Sequence, residues 1–253
     1  MEADGSAGAG DRGVKIGVIV YAFALAVPLE NLLNHIISCT QATIYLFRHS
    51  EDVNVKTICD IYAGLARVTY YPFGFNRGLA KSCNEGLIAA YDDGCDVVVT
   101  VNDDVCLRSG DLERIARAAL STGTLATPFD GGHETACAAI PRQALERVGY
   151  FDENFTPAYY EDVDWLRRAK LAGLPVEHVG GVGATHQDSA SLQHVPSEQH
   201  HKQFRANRSY YLKKWGGDRG EERWSVPFNN SSFGLKIEAK DRHNPYPEYA
   251  RHA

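Results

Sequence analysis

Two carboxylate groups carry the residue types for metal-assisted or acid–base chemistry. Asn102, Asp103 and Asp104 directly follow the apolar run Val97 to Val101. Carboxylate oxygens suit hard cations such as Mg2+ or Mn2+, and a pair at a strand end can hold one cation while leaving positions open for phosphate oxygens. A turn or helix cap also selects Asp and Asn for local reasons. Downstream, Glu161, Asp162 and Asp164 open the amphipathic stretch EDVDWLRRAKLAG. One of them could take the proton of an attacking hydroxyl. The helix dipole alone also favours acids in a first turn, and Asp164 is spaced to pair with Arg167 or Arg168. His186, in GATHQDSAS, offers an imidazole that can join carboxylates around Mn2+ or Mg2+. In FNRGLAKSCNEGL, Asn76 and Gly78 open a helix whose N–H groups could face an anion or nucleotide. Lys81 adds a cation there and Asn84 an amide. Tyr159, Tyr160 and Trp165 read either as aromatic walls of a site or as core packing.

These residues need a scaffold, and the first half of the chain supplies a strand–helix rhythm. VKIGVIVYA (14–22), ATIYLF (42–47), RVTYYPF (67–73) and DVVVTV (96–101) read as strands. Helical spacing follows each: Leu29, Leu32, Leu33, Ile36 and Ile37 after Pro28; a stretch near 54–64; Leu79, Cys83, Leu87 and Ile88 with Asn76 as cap and Gly94 as stop; and Leu112, Ile115, Ala119 and Leu120 before Gly123. Near-continuous apolar strands alternating with helices predict an α/β fold with a mostly parallel sheet covered on both faces. Ligands of such sheets sit at the carboxyl ends of the strands, where Asn102–Asp104 falls. After about residue 130 the rhythm changes, with a strand at 136–140, a short helix at 141–149, a helix at 161–173 and a strand at 175–181. QHHKQFRANRSYYLKKW reads as one further helix before an irregular tail. Lys213, Lys214 and the paired tyrosines of that helix could touch a membrane surface or an acidic acceptor, or simply form a solvated face.

The order of these signals is more informative than any one of them. Asn76-x-Gly78 and Asn84-x-Gly86 precede the strand ending in NDDV, and VGYFDENFTPAYYEDVDWLRRAKLAG (148–173) precedes His186. This series resembles the family 2 glycosyltransferases over roughly residues 14–190, with FDExF…EDVDxxxR as its most specific piece. The resemblance implies a GT-A fold, a Rossmann-like, mostly parallel sheet flanked by helices, with a C-terminal helical and irregular appendage. MEADGSAGAGDRG reads as a tail at 1–13 and the C-terminal region as an appendage at 191–253, while the resemblance implies a nucleotide-binding part at 14–105 and an acceptor-side part at 106–190. NDDV then occupies the place of the D-x-D motif. Asp104 and His186 are implied as metal ligands, and Tyr21, Asn76, Lys81, Asn84, Asn102 and Asp103 as neighbours of the nucleotide. Asp162 matches the catalytic base of inverting members, supported by Glu161 and Asp164. A divalent cation and a nucleotide-diphosphate sugar are the implied cofactor and donor; the acceptor is a glycan, a lipid-linked glycan or a small-molecule aglycone. FRHSED stands where the family often carries D-N-x-S to read the base, and Asn102 replaces the first D-x-D acid.

Two other function classes share parts of this pattern. A nucleotidyltransferase would carry a basic Gly-rich phosphate loop, whereas VIVYAFALAVPLE contains neither Gly nor Lys. A non-catalytic nucleotide-sugar-binding protein could use the same fold. The net charge of −6 and the absence of a long basic run argue against a nucleic-acid partner. No stretch approaches the length of a membrane span. Six cysteines without a C-x-x-C pair suit buried thiols, and with no apolar signal core at the start they imply a cytoplasmic protein. Association into a homo-oligomer is compatible with the sequence.

Overall fold

The computed structural model describes residues 13–131, 133–187 and 197–250. The tail expected at 1–13 lies outside them except for Gly13, as do the serines just after His186. The four expected strands form as β1 (Ile16–Ala22), β2 (Thr43–Arg48), β3 (Val68–Tyr71) and β4 (Val97–Asn102). Between them run α1 (Ala26–Cys39), α2 (Val53–Ala63) and α3 (Leu79–Asp92). Beyond β4 come β5 (Val105–Cys106), α4 (Asp111–Thr122), β6 (Ala126–Thr127), β7 (Cys137–Pro141), α5 (Arg142–Val148) and α6 (Glu161–Leu171). The chain continues through β8 (Glu177–His178), β9 (Thr185–His186) and α7 (Ser197–Trp215).

Seven strands pair in the order β3-β2-β1-β4-β7-β6-β8. Four of the six pairings are parallel; β7 runs antiparallel to both β4 and β6. Alternate side chains of each strand enter opposite layers. Val18, Val20, Ile44 and Leu46 pack under α1, α2 and α4, whereas Ile19, Tyr21, Tyr45 and Phe47 pack under α3, α5 and α6. This two-sided burial is why the central strands lack a polar face. A third buried cluster, with Phe155, Tyr160, Tyr211, Trp215 and Phe228, joins the loop before α6 to α7 and the irregular tail.

Several local expectations change. Asn76 does not cap α3: Gly78 holds that position at φ 101°, which a side chain would strain. The Asn76 side chain instead accepts from Gly78 N at 3.0 Å. Lys214 and the tyrosines of α7 do not face solvent or a partner. Lys214, Tyr210 and Tyr211 are buried, because Lys214 neutralises two interior carboxylates. Cys39 and Cys106 are exposed, while the other four cysteines are buried and all six are free. No described helix is long and apolar enough to cross a membrane.

Candidate functional site

β4 ends where the sheet opens, and the chain turns there through Asp103 and Asp104. The two acids point to different partners. Asp103 accepts from Phe23 N at 2.9 Å and Ala24 N at 3.3 Å, which ties the end of β4 to that of β1. Burial pushes its carboxyl up to about 6, against the pull of these backbone donors. Asp104 faces β9. The two-residue strands β5 and β9 pair antiparallel, with Val105 opposite His186, and Gln187 N donates to Asp104 O at 3.0 Å. This places His186 Nε2 at 3.1 Å from Asp104 Oδ1. The rings of His133 and Phe129 lie 5.3 and 5.8 Å from that of His186.

The second carboxylate group enters on the first turn of α6, after Tyr159 and Tyr160, which hold φ of 79° and 69°. Consecutive left-handed tyrosines are costly unless the surroundings impose them. Here Asn207 of α7 does so: its Nδ2 donates to the carbonyls of Ala158 at 2.7 Å and Tyr159 at 2.9 Å. Glu161 is buried, and its Oε2 accepts no hydrogen bond among the described residues. Burial, reinforced by the charge of Asp162, raises its carboxyl well above the usual range. Asp162 is half-buried at the cleft. It accepts from Val163 N at 2.8 Å and Thr135 Oγ1 at 3.2 Å, and burial raises it too.

Asp164 points the other way, into the interior. It binds Arg168 Nε at 2.9 Å, Lys214 Nζ at 2.7 Å and Trp215 Nε1 at 2.9 Å. Lys214 also meets Asp152 at 2.8 Å, and Arg168 donates to the carbonyls of Val148 and Tyr150. Most charged residues of FDExF…EDVDxxxR are therefore framework, and Glu161 and Asp162 are the two that reach the cleft.

That cleft encloses about 480 Å³ and is lined by Tyr21, Asn76, Asn102, Asp103, Asp104, Glu161, Asp162 and His186 among others. Eight of the eleven residues singled out in the sequence thus converge. Lys81 does not: it is exposed on the outer face of α3. Asn84 is buried away from the cleft, gripping Phe151 through both its N–H and its carbonyl. Asp164 is the third. Trp165 is core, stacked on Phe151 and bonded to Gly149 O. His133 of the GGH turn, a stretch the sequence suggests for the acceptor side, is in the lining, as are Arg219, Thr135 and the α7 residues His200 and Phe204, which the sequence did not single out. They come from loops and a distant helix without a spacing signal. His49, from FRHSED, also lines the cleft; it contacts Ser82 Oγ at 2.8 Å and Asn76 Oδ1 at 3.2 Å, and burial lowers it to about 4.

Among the described residues no three His, Cys, Asp or Glu side chains converge as a complete metal cage. Asp104 and His186 are a pair, and buried Asp104 Oδ1 receives no hydrogen bond there. Mg2+-type cations commonly take one or two protein ligands and complete their shell with phosphate oxygens and water. The pair fits a cation of that kind.

The solved structures that this chain resembles include several glycosyltransferases. The chain superposes on glucosyl-3-phosphoglycerate synthase of Mycobacterium tuberculosis, solved with Mn2+ and UDP, with TM-score 0.54 and 14% identity over 78% of each chain. It superposes on the mannosyltransferase PcManGT of Pyrobaculum calidifontis, solved with GDP-Man and Mn2+, with TM-score 0.52 and 17% identity over 65% of this chain. For TarS of S. aureus (residues 1–349) the TM-score is 0.53, with 14% identity over 72% of this chain. The fold is GT-A. The chain spans 54% of the length of PcManGT and 63% of that of TarS. No sequence-family model matches the chain, and no curated protein matches it by sequence.

Proposed function

We propose that this GT-A chain is an inverting, family 2-like glycosyltransferase that moves a hexosyl or deoxyhexosyl group from a nucleotide-diphosphate sugar to an acceptor hydroxyl. One observation carries the reading: Asp162 and the Asp104–His186 pair line the same cleft at the carboxyl ends of the parallel strands. Residues 14–105 bind the nucleotide, 106–190 build the acceptor side, and the appendage packs on the core, its described residues 197–250 meeting Phe155 and Tyr160. Asp104 and His186 hold a divalent cation, which when bound offsets charge on the departing diphosphate. Asn102, Asp103, Tyr21 and Asn76 border the nucleotide. Asp162 takes the proton of the acceptor hydroxyl, whose oxygen bonds to the anomeric carbon as the bond to the phosphate oxygen breaks. The electron pair leaves with the nucleoside diphosphate, and configuration inverts in this single displacement. A carboxylate raised by burial is a stronger base than an exposed one, which suits Asp162 to the task. The free cysteines fit a reducing compartment, the cytoplasm.

A thermal-shift panel of UDP, GDP and their sugars with and without Mn2+ tests this directly. A ligand at about a hundred times its Kd should stabilise by roughly 2.7 kcal/mol. The donor's nucleotide should raise Tm only with the cation present. Equal shifts with and without Mn2+ would sink the metal assignment, and no shift with any nucleotide would sink the whole reading.

A further inference from the structure

The cleft carries more than a nucleotide and a cation require. A second cluster lines it, built from the turn before α6 and the exposed face of α7. Phe204 is 37% exposed and packs its ring 5.6 Å from Tyr159 and 5.5 Å from Tyr160. Leu79, Pro157, Ala158 and Val163 continue the same lining.

What this surface offers a ligand follows from where its polar atoms already point. Tyr159 Oη lies 3.2 Å from His200 Nδ1, and Tyr160 Oη donates to Asp218 at 3.0 Å. The backbone is occupied as well. Pro157 O accepts from Leu79 N at 2.8 Å, Ala158 O and Tyr159 O accept from Asn207, and Tyr160 O accepts from Asp164 N at 3.0 Å. Ring and aliphatic surface is what remains. A polyhydroxylated ring laid on this wall would have to find its partners elsewhere in the cleft, since hydrogen bonds left unmade on burial are expensive. A flat apolar ring would lose nothing and would gain contact with the aromatic edges. Charged and polar side chains, Arg219, Gln203 and Thr135, line the cleft too. Thr135 is the residue that bonds Asp162.

Resting on the glycosyltransferase reading, we infer that the acceptor is an apolar small molecule, with its reactive hydroxyl on or beside a flat ring held against Tyr159 and Phe204. Specificity for the acceptor then resides in α7, through Phe204, rather than in the sheet.

Methylumbelliferone, a flat fluorescent hydroxycoumarin, is a suitable probe, with methyl β-glucoside as the polyol control. Both are titrated into the full chain with and without Mn2+ and UDP or GDP. The coumarin should bind at least about tenfold more tightly than the glucoside, a gap of the size that ring contacts supply. Phe204→Ala should remove most of that gap, Phe204→Leu should keep part of it, and Mn2+–nucleotide binding should be unchanged in both. Equal affinity for the two probes, no coumarin binding up to its solubility, or a gap that survives Phe204→Ala would each overturn the inference. Coumarin binding without any cation-dependent nucleotide binding would instead overturn the donor reading and leave the apolar subsite standing.

Discussion

Within one helical turn, Glu161, Asp162 and Asp164 are the same chemical group in three environments, and the differences decide what each can do. Asp164 is ion-paired on two sides, so its carboxyl is held below the usual range despite burial. Such a group adds stability above its unfolded value of 3.8 and loses it as pH falls through the folded value. Glu161 behaves oppositely. Its folded value is raised, so the native chain keeps a proton that the unfolded chain has released, and stability falls as pH rises from 4.5. Glu161→Gln should therefore flatten that fall, which denaturant titrations at about pH 5 and about pH 8 would read as a smaller loss than in the parent chain. Asp162 is the one of the three that is partly open to the cleft. Asp162→Asn should lower turnover by about 10²- to 10⁴-fold while cation-dependent nucleotide binding stays within about twofold. Single-turnover assays with binding titrations would separate the two, and near-normal turnover would remove the base assignment. The acid limb of the kcat/KM profile should lie above 3.8, because burial raises Asp162. Since Glu161 titrates beside it, the limb belongs to the pair.

At the scale of elements, α7 is the piece whose role the sequence disguised. Its polar composition reads as a solvated helix, yet Lys214 is fully buried between Asp152 and Asp164. Removing one partner of a buried ion pair leaves uncompensated charge, so Lys214→Met should destabilise the fold by about 3–5 kcal/mol. For a chain of this length that is a fall in Tm of roughly 6–20 °C. Replacing Lys56, whose pair with Asp60 on α2 is exposed, should leave Tm unmoved. The same contrast explains what was legible beforehand. β1, β2 and β4 announced themselves because both faces of each are buried and their runs are nearly unbroken. The reversal of β7 and the tiny β5–β9 pair did not, because two-residue strands have no period and direction is set by connections rather than composition. His186 could be marked as a candidate, but its meeting with Asp104 depends on that pair. Lys81, Asn84 and Asp164 fall outside the cleft for one reason: a helix motif fixes residue type and spacing, which foretold the Asp164–Arg168 pair, while the neighbouring layers decide which face of the helix meets the cleft.

Over the whole molecule, the turn leading into α6 and the C-terminal region share one core. Phe155 and Tyr160 come from the segment leading into α6, Tyr210, Tyr211 and Trp215 from α7, and Phe228, Ile237 and Tyr246 from the tail, all in one buried cluster. A region that shares its core with another cannot unfold alone without exposing that core, so the two should melt together. Gly149 is where this coupling is tightest. The tail passes so close that a Cβ on Gly149 would stand 2.1 Å from Ile237 O, and φ there is +75°. Tyr150 N donates to that same carbonyl at 2.9 Å and Ile237 N to Val148 O at 3.3 Å, so the backbone cannot shift aside without breaking both bonds. With ψ at −163° this backbone lies in a region nearly confined to glycine, which alone costs another residue about 1–3 kcal/mol, and the clash adds to it. Gly149→Ala should thus lower Tm by at least about 2 °C, at 2–4 °C per kcal/mol for a chain of this size. The informative part is the shape of the melt. Near-UV circular dichroism, which reports the aromatic tail cluster, and far-UV signal, which reports the sheet, should still move in one transition. A variant whose aromatic signal melts early while the sheet stays folded would show that the tail is an independent layer. The first turn of α6, which carries Asp162, would then not depend on it.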